Sequence, residues 1–174
     1  LGEGVSVVFV TGDAPPSLAG PERSMVVLDP AGPRSLGLVS VNNESLEVSL
    51  YRVTPDDWSA YLEYSERGDW DSRQRPAPPG TEVWTGTLEP GGERDVPVEV
   101  AIDLTPALEG RYGHVVVVAQ PSVESADEGD WRNRPVIRWV QSTDLALSVV
   151  SDGLEVRALV TSLAAGEPVA GARV

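Results

Sequence analysis

An antiparallel β-sandwich is the fold class this 174-residue sequence predicts, on three observations. Apolar residues recur with a period of two almost wherever a period can be read. Val contributes 27 residues, against two Ile and one Phe, and that β-branched excess favours strands over helices. The 17 Gly and 15 Pro fall largely between the apolar runs, where they mark turns.

Taken in order, Val5–Val10, Ser24–Leu28 and Leu36–Val41 read as the first strands. Asp29-Pro30, Gly32-Pro33 and Asn42-Asn43 are turn signals between or after them. Leu46, Val48 and Leu50 alternate with Glu47, Ser49 and Tyr51, as in a strand with one buried face. Thr54-Pro55-Asp56-Asp57 then supplies an N-cap, a first-position proline and first-turn carboxylates. Trp58, Tyr61 and Leu62 fall at i, i+3 and i+4, so a short helix is expected from Pro55 to Tyr64. Ser65–Gly80 is a loop of nearly balanced charge, closed by Pro76-Ala77-Pro78-Pro79-Gly80.

Glu82–Leu88 is the next strand, followed by the turn Pro90-Gly91-Gly92. Val96, Val98, Val100, Ile102 and Leu104 alternate with Pro97, Glu99, Ala101 and Asp103, again with one apolar face. Val115 to Val118 is apolar on both faces and reads as a central strand. Ser122–Asn133 is an acidic loop, and Val136–Gln141 is the last strand of a first set of about eight. Leu145–Val150 and Leu154–Val160 follow, with Asp152-Gly153 predicting a two-residue hairpin turn. Eight strands suffice for one sandwich, whereas residues 142–174 are too few to bury a core of their own. They read as the start of a second domain, and the chain as part of a longer multi-domain protein.

Composition narrows the function. Thirteen Arg and no Lys stand against 27 Asp and Glu, for a net charge of −14. That balance argues against nucleic acid and against anionic membrane surfaces, both of which are bound through cationic side chains. No apolar run approaches the ~20 residues of a membrane span, and membrane insertion by this segment is not expected. The first residues lack the basic-then-apolar order of a signal peptide, so export would require a leader already removed. The absence of Cys excludes disulfides, thiol nucleophiles and cysteine metal sites.

Each residue pattern that might carry chemistry has a plainer reading. His114 is the only His, no Gly-x-Ser-x-Gly accompanies it, and it reads as a partly exposed strand-end residue. Arg67-Gly68-Asp69 spells an adhesion tripeptide of a length that recurs by chance. Asn43-Glu44-Ser45 has the form of a glycosylation sequon and reads as an exposed turn. Gly68-Asp69-Trp70 recurs as Gly129-Asp130-Trp131, either as two matched binding loops or as two tryptophans covering sandwich edges. The acidic stretch Glu124 to Asp130 lacks the spacing of a calcium loop and reads as solvated. Asp56 and Asp57 suit a helix N-terminus. No catalytic, cofactor-binding or metal-binding residue is assigned, and no enzyme activity or cofactor is expected.

One resemblance is more specific. Trp139-Val140-Gln141-Ser142-Thr143-Asp144-Leu145-Ala146-Leu147 resembles a domain junction of the bacterial alpha-2-macroglobulin family, with Ala146 where Gly is common. The turn Ser151-Asp152-Gly153 and the stretch Ser162-Leu163-Ala164-Ala165-Gly166-Glu167-Pro168-Val169-Ala170-Gly171-Ala172-Arg173-Val174 continue the likeness. Upstream, Tyr51-Arg52-Val53 before a short helix and Glu109-Gly110-Arg111-Tyr112 before a strand are similar to the family more loosely. The likeness covers about residues 35–174.

The resemblance implies an all-β, immunoglobulin-like, macroglobulin-type sandwich with one short helix over residues 1–141. Residues 142–174 would be the first strands of a second, incomplete sandwich of the same type. It implies a structural and interaction module of a broad-spectrum protease inhibitor that encloses its attacker after a bait region is cut. Partners would be neighbouring macroglobulin domains of the same chain and, through the whole parent, target proteases. The location would be extracytoplasmic and periplasmic, with or without a lipid anchor on the parent. Many relatives carry a Cys-x-Glu-Gln thioester; this chain has no Cys, and no bait segment is recognised in it. The alternative from the residues alone is an immunoglobulin-like domain of a bacterial surface adhesin or glycan-binding protein.

Overall fold

The computed structural model describes residues 8, 12–66, 76–108, 110–122 and 131–173. Ten strands are defined among them, with one α-helix: β1 Ser17–Ala19, β2 Met25–Leu28, β3 Ser35–Val41, β4 Leu46–Val53, α1 Trp58–Glu66, β5 Thr81–Leu88, β6 Val98–Asp103, β7 Gly113–Pro121, β8 Val136–Ser142, β9 Leu145–Ser151 and β10 Val156–Ser162. The first eight strands form two sheets, one ordered β1-β3-β6 and the other β2-β8-β7-β4-β5. The all-β sandwich class read from the sequence is therefore the observed one. One pair departs from the antiparallel rule: β2 runs parallel to β8, with Met25 opposite Trp139 and Leu28 opposite Ser142.

Alternation explains which side chains meet. Leu36 and Leu38 of β3, with Val100 and Ile102 of β6, face Leu46, Val48 and Leu50 of β4 and Val115 and Val117 of β7 in one inter-sheet core. The run Val115–Val118 is buried on both faces because β7, the middle strand of the larger sheet, has the second sheet on one side and α1 on the other. Its other face, Val116 and Val118, joins Ile137 and Trp139 beneath α1, from which Tyr61 and Tyr64 are buried against them. The helix thus sits outside the sandwich, over a second apolar layer.

Local chemistry sets the element ends. A single 3-10 turn, Pro55–Asp57, leads into α1, and the Asp57 carboxylate accepts from the Thr54 amide at 2.8 Å and from its hydroxyl at 3.0 Å. β5 follows directly on Gly80, whose φ of +82° and close approach to the Arg52 carbonyl leave no room for a Cβ. β6 starts two residues later than the alternation predicted: Pro97 has no N–H to donate to a ladder, and Val96 is exposed.

Two left-handed residues lock the loops at one end of the sandwich. The Asn42 side-chain amide (φ +52°) donates to the Asp95 carboxylate at 2.7 Å, and the Asp95 amide (φ +64°) donates back to Asn42 Oδ1 at 2.8 Å. Ala14 joins both, donating its N–H to Asp95 and accepting from Asn42. At other loops arginines tie backbone carbonyls: Arg34 to Gly110, Arg111 to Pro30, Arg52 to Ala107 and Arg138 to Pro21. The guanidinium fork suits this role, because it carries several fixed donors on one planar group.

Two expectations change, and a third lies outside the described residues. β1 was not anticipated; three residues behind Pro15-Pro16 give too short an alternation to read. The β9–β10 turn is not a two-residue loop but the four residues Asp152–Glu155, since Ser151 pairs with Val156. The Asp152 carboxylate accepts from the Leu154 and Glu155 amides at 3.0 and 2.9 Å, which stabilises a longer turn and takes Leu154 out of the strand. The expected strand Val5–Val10 lies outside the described residues apart from Val8.

Candidate interaction surface

β9 and β10 form a sheet of their own, separate from the two layers of the sandwich. Only Thr143 and Asp144 stand between β8 and β9, and the Thr143 amide donates to the Leu28 carbonyl at 3.4 Å. Asp144 closes the base of the hairpin. Its carboxylate accepts from the Ala164 amide at 3.0 Å and the Ser162 hydroxyl at 3.2 Å, and its carbonyl accepts from the Leu163 amide at 2.7 Å. Beyond β10 the chain turns back, and Thr161 pairs antiparallel with Pro168. The sheet is thereby extended by a third, short segment.

The register sorts the hairpin's side chains into two faces. Directly opposed residues share a face, so Leu145, Leu147, Val149, Val156, Ala158 and Val160 stand together. The other face carries Ala146, Ser148, Val150, Arg157, Leu159 and Thr161. The first also holds Ser151, opposite Val156, and Ser162, opposite Leu145, and is otherwise apolar, yet Leu147 is 56% and Val156 72% exposed. Contiguous exposed apolar surface of this kind marks an interaction site.

The residues singled out in the sequence are distributed elsewhere. His114 starts β7 on the face beneath α1, half-buried, where its Nδ1 accepts from the Trp139 indole N–H at 3.2 Å. Burial holds its pKa below the usual histidine value. Trp58, Tyr61 and Trp139 pack edge to face or tilted with centroids 5.2 to 5.4 Å apart, and the Tyr61 hydroxyl donates to the Ser24 carbonyl at 2.7 Å. Burial pushes the Tyr61 hydroxyl up.

Asn43 is not an exposed turn residue. It is 6% exposed, and its amide nitrogen donates to the Ser17 carbonyl at 2.9 Å and the Ser40 hydroxyl at 3.1 Å. The sequon is therefore closed to a glycan. Asp57 is engaged with Thr54 and Asp56 is exposed, in keeping with a helix start. Arg67-Gly68-Asp69, Trp70, the acidic stretch 124–130 and the Gly129-Asp130 repeat lie outside the described residues; Trp131 opens a 3-10 turn, Trp131–Asn133. Among the described residues no group of three or more His, Cys, Asp or Glu is placed to hold a metal ion. No helix there is long and apolar enough to cross a membrane.

This arrangement of strands has counterparts among solved structures. Native Escherichia coli alpha-2-macroglobulin spanning domains NIE-MG1 superposes with a TM-score of 0.63 at 17% identity, over 91% of this chain and 74% of that one. The fold is that of bacterial alpha-2-macroglobulin. The E. coli structure spanning domains MG0-NIE-MG1 matches at a TM-score of 0.59 and 19% identity, over 91% of this chain and 49% of that one. Salmonella alpha-2-macroglobulin (mutant Y1175G) matches at 0.55 and 15%, over 93% of this chain and 9% of that one. The chain thus spans about a tenth of an alpha-2-macroglobulin of that length. No family model and no curated protein matches the sequence. The alpha-2-macroglobulin likeness is one of fold, carried by backbone geometry.

Proposed function

We propose that the chain is a non-catalytic structural and interaction module of a bacterial alpha-2-macroglobulin-like protease inhibitor. Residues 1–141 are one macroglobulin-type sandwich, and residues 142–174 are the opening strands of the next. The observation that carries this reading is the β9–β10 hairpin. It leaves the sandwich at Thr143-Asp144 with an apolar face that the sandwich does not cover, and the superposition with E. coli structures that pass from NIE into MG1 spans 91% of the chain. Strands of the following domain would cover that face. The segment's partners are then neighbouring domains of its own chain, and it meets proteases only through the whole parent, in the periplasm.

Two measurements test the proposal. The 174-residue chain alone should not inhibit trypsin-like proteases stoichiometrically, and stoichiometric inhibition would overturn the scaffold role. A chain extended through the following domain should bury Leu147, Val149 and Val156, seen as at least tenfold slower amide exchange in β9 and β10 than in the 174-residue chain. Unchanged exchange would refute the domain assignment.

A further inference from the structure

Beneath α1, one hydrogen bond joins a titratable ring to the side chain on which the helix rests. The Trp139 indole nitrogen can only donate. His114 Nδ1, 3.2 Å away, must therefore be unprotonated for the bond to exist, which puts the ring proton on Nε2. The two rings meet edge to face with centroids 5.6 Å apart. On its other sides the Trp139 ring contacts Trp58 and Tyr61, two of the residues through which α1 sits on the sheet. Its backbone N–H donates to the Ser24 carbonyl at 2.9 Å and approaches the Tyr61 hydroxyl at 3.2 Å. Through its indole and its main chain, Trp139 of β8 thus connects β7, α1 and the residue just before β2.

We propose that His114 is an acid-sensitive latch: the neutral ring holds Trp139 in place under α1, and protonation at Nδ1 releases the indole and loosens the helix from the outer face of the sheet. Protonation sets an N–H against an N–H where donor and acceptor met, in a half-buried site.

Among the described residues, the groups around His114 offer an imidazolium no compensating charge. From β8 they are Trp139 and the opposed Gln141; from β4 they are the opposed Val53 and, further along, Tyr51, whose hydroxyl donates to Glu82. From α1 they are Trp58 and Tyr61, the latter's hydroxyl committed to Ser24, while Glu63 is solvent-exposed. In the turn before α1, Asp57 is held by Thr54 and Asp56 points to solvent. Burial accordingly lowers the His114 pKa. The sign follows from that depression. Docking is at full strength above the unfolded histidine value of about 6.5 and weakens by up to tenfold per pH unit as pH falls towards the folded value.

The test uses the 174-residue chain between pH 7.5 and 5, following the His114 ring, the Trp139 indole and the backbone amides by NMR. The Trp139 indole signal should move with the titration of His114, and amide protection in α1 should fall by up to tenfold per pH unit while β4 and β7 stay protected. His114→Phe should remove the pH dependence. His114→Gln, with an acceptor that does not titrate, should remove it with the helix docked, and carries the test should the Phe variant not fold. Flat α1 protection while His114 protonates would overturn the latch. So would a His114 that stays neutral until global unfolding, or the same loosening in the Gln variant.

Discussion

Gly80 shows how much a single position can decide. Its φ of +82° lies where a side chain is strained, and a Cβ there would stand 2.3 Å from the Arg52 carbonyl oxygen, which is main chain and cannot yield. Gly80→Ala should destabilise the chain by more than about 1 kcal/mol, read from the midpoint of urea unfolding; an unshifted midpoint would contradict the geometry. Asp95 carries a pH dependence. The Asn42 side chain, then the Ala14 amide, stabilise its ionised form and hold its pKa below the usual carboxylate value. A carboxyl depressed in the folded state contributes above its unfolded pKa, and the contribution disappears as pH falls through the folded value. The loop lock should therefore be intact at neutral pH and open in acid, with the Ala14 amide as its reporter. Asp95→Ala should give the acid-like Ala14 signal at pH 7.

Elements were legible in proportion to their length and regularity. β3, β4, β7 and β8, and the helix start at Thr54-Pro55-Asp56-Asp57, could be read from alternation and capping because those rules act over a few neighbouring residues. β1 has three residues and offers no period. The tryptophan and histidine that meet under α1 are 25 positions apart, and no local rule pairs them. That cluster yields an element-scale prediction. Trp139→Ala removes the largest fully buried side chain among the described residues and should cost about 3–5 kcal/mol. Calorimetry measures it, and a loss under about 1 kcal/mol would show that the helix does not rest on that ring. Asp144→Ala should fray the base of the hairpin, speeding exchange of the Leu163 and Ala164 amides and leaving β7 unchanged.

For the whole molecule, the division at Thr143-Asp144 is the informative feature. A sandwich with its own two-sided core should not need the hairpin. A chain ending at residue 143 should melt within a few degrees of the 174-residue chain, while in the longer chain β9 and β10 should exchange their amides well before β7 does. A large drop in melting temperature on truncation would mean that the hairpin belongs to the first fold. The net charge of −14 disfavours partners that present phosphates, which are bound through cationic side chains.

By itself the sequence determined the class of the fold, the places where the chain must turn, and the residues that face inward, because period, glycine, proline and capping are properties of adjacent residues. The junction at Ser142-Thr143-Asp144 was visible too, as a motif, though not the reason for its aspartate, which bonds to residues some twenty positions away. Tertiary structure alone decided that β2 runs parallel to β8, that Asn43 is buried, that His114 serves Trp139, and that the hairpin's apolar face stands uncovered. Each of these depends on which distant segment comes to lie alongside. Strand pairing fixes that through the packing of whole faces, not through the order of neighbouring residues.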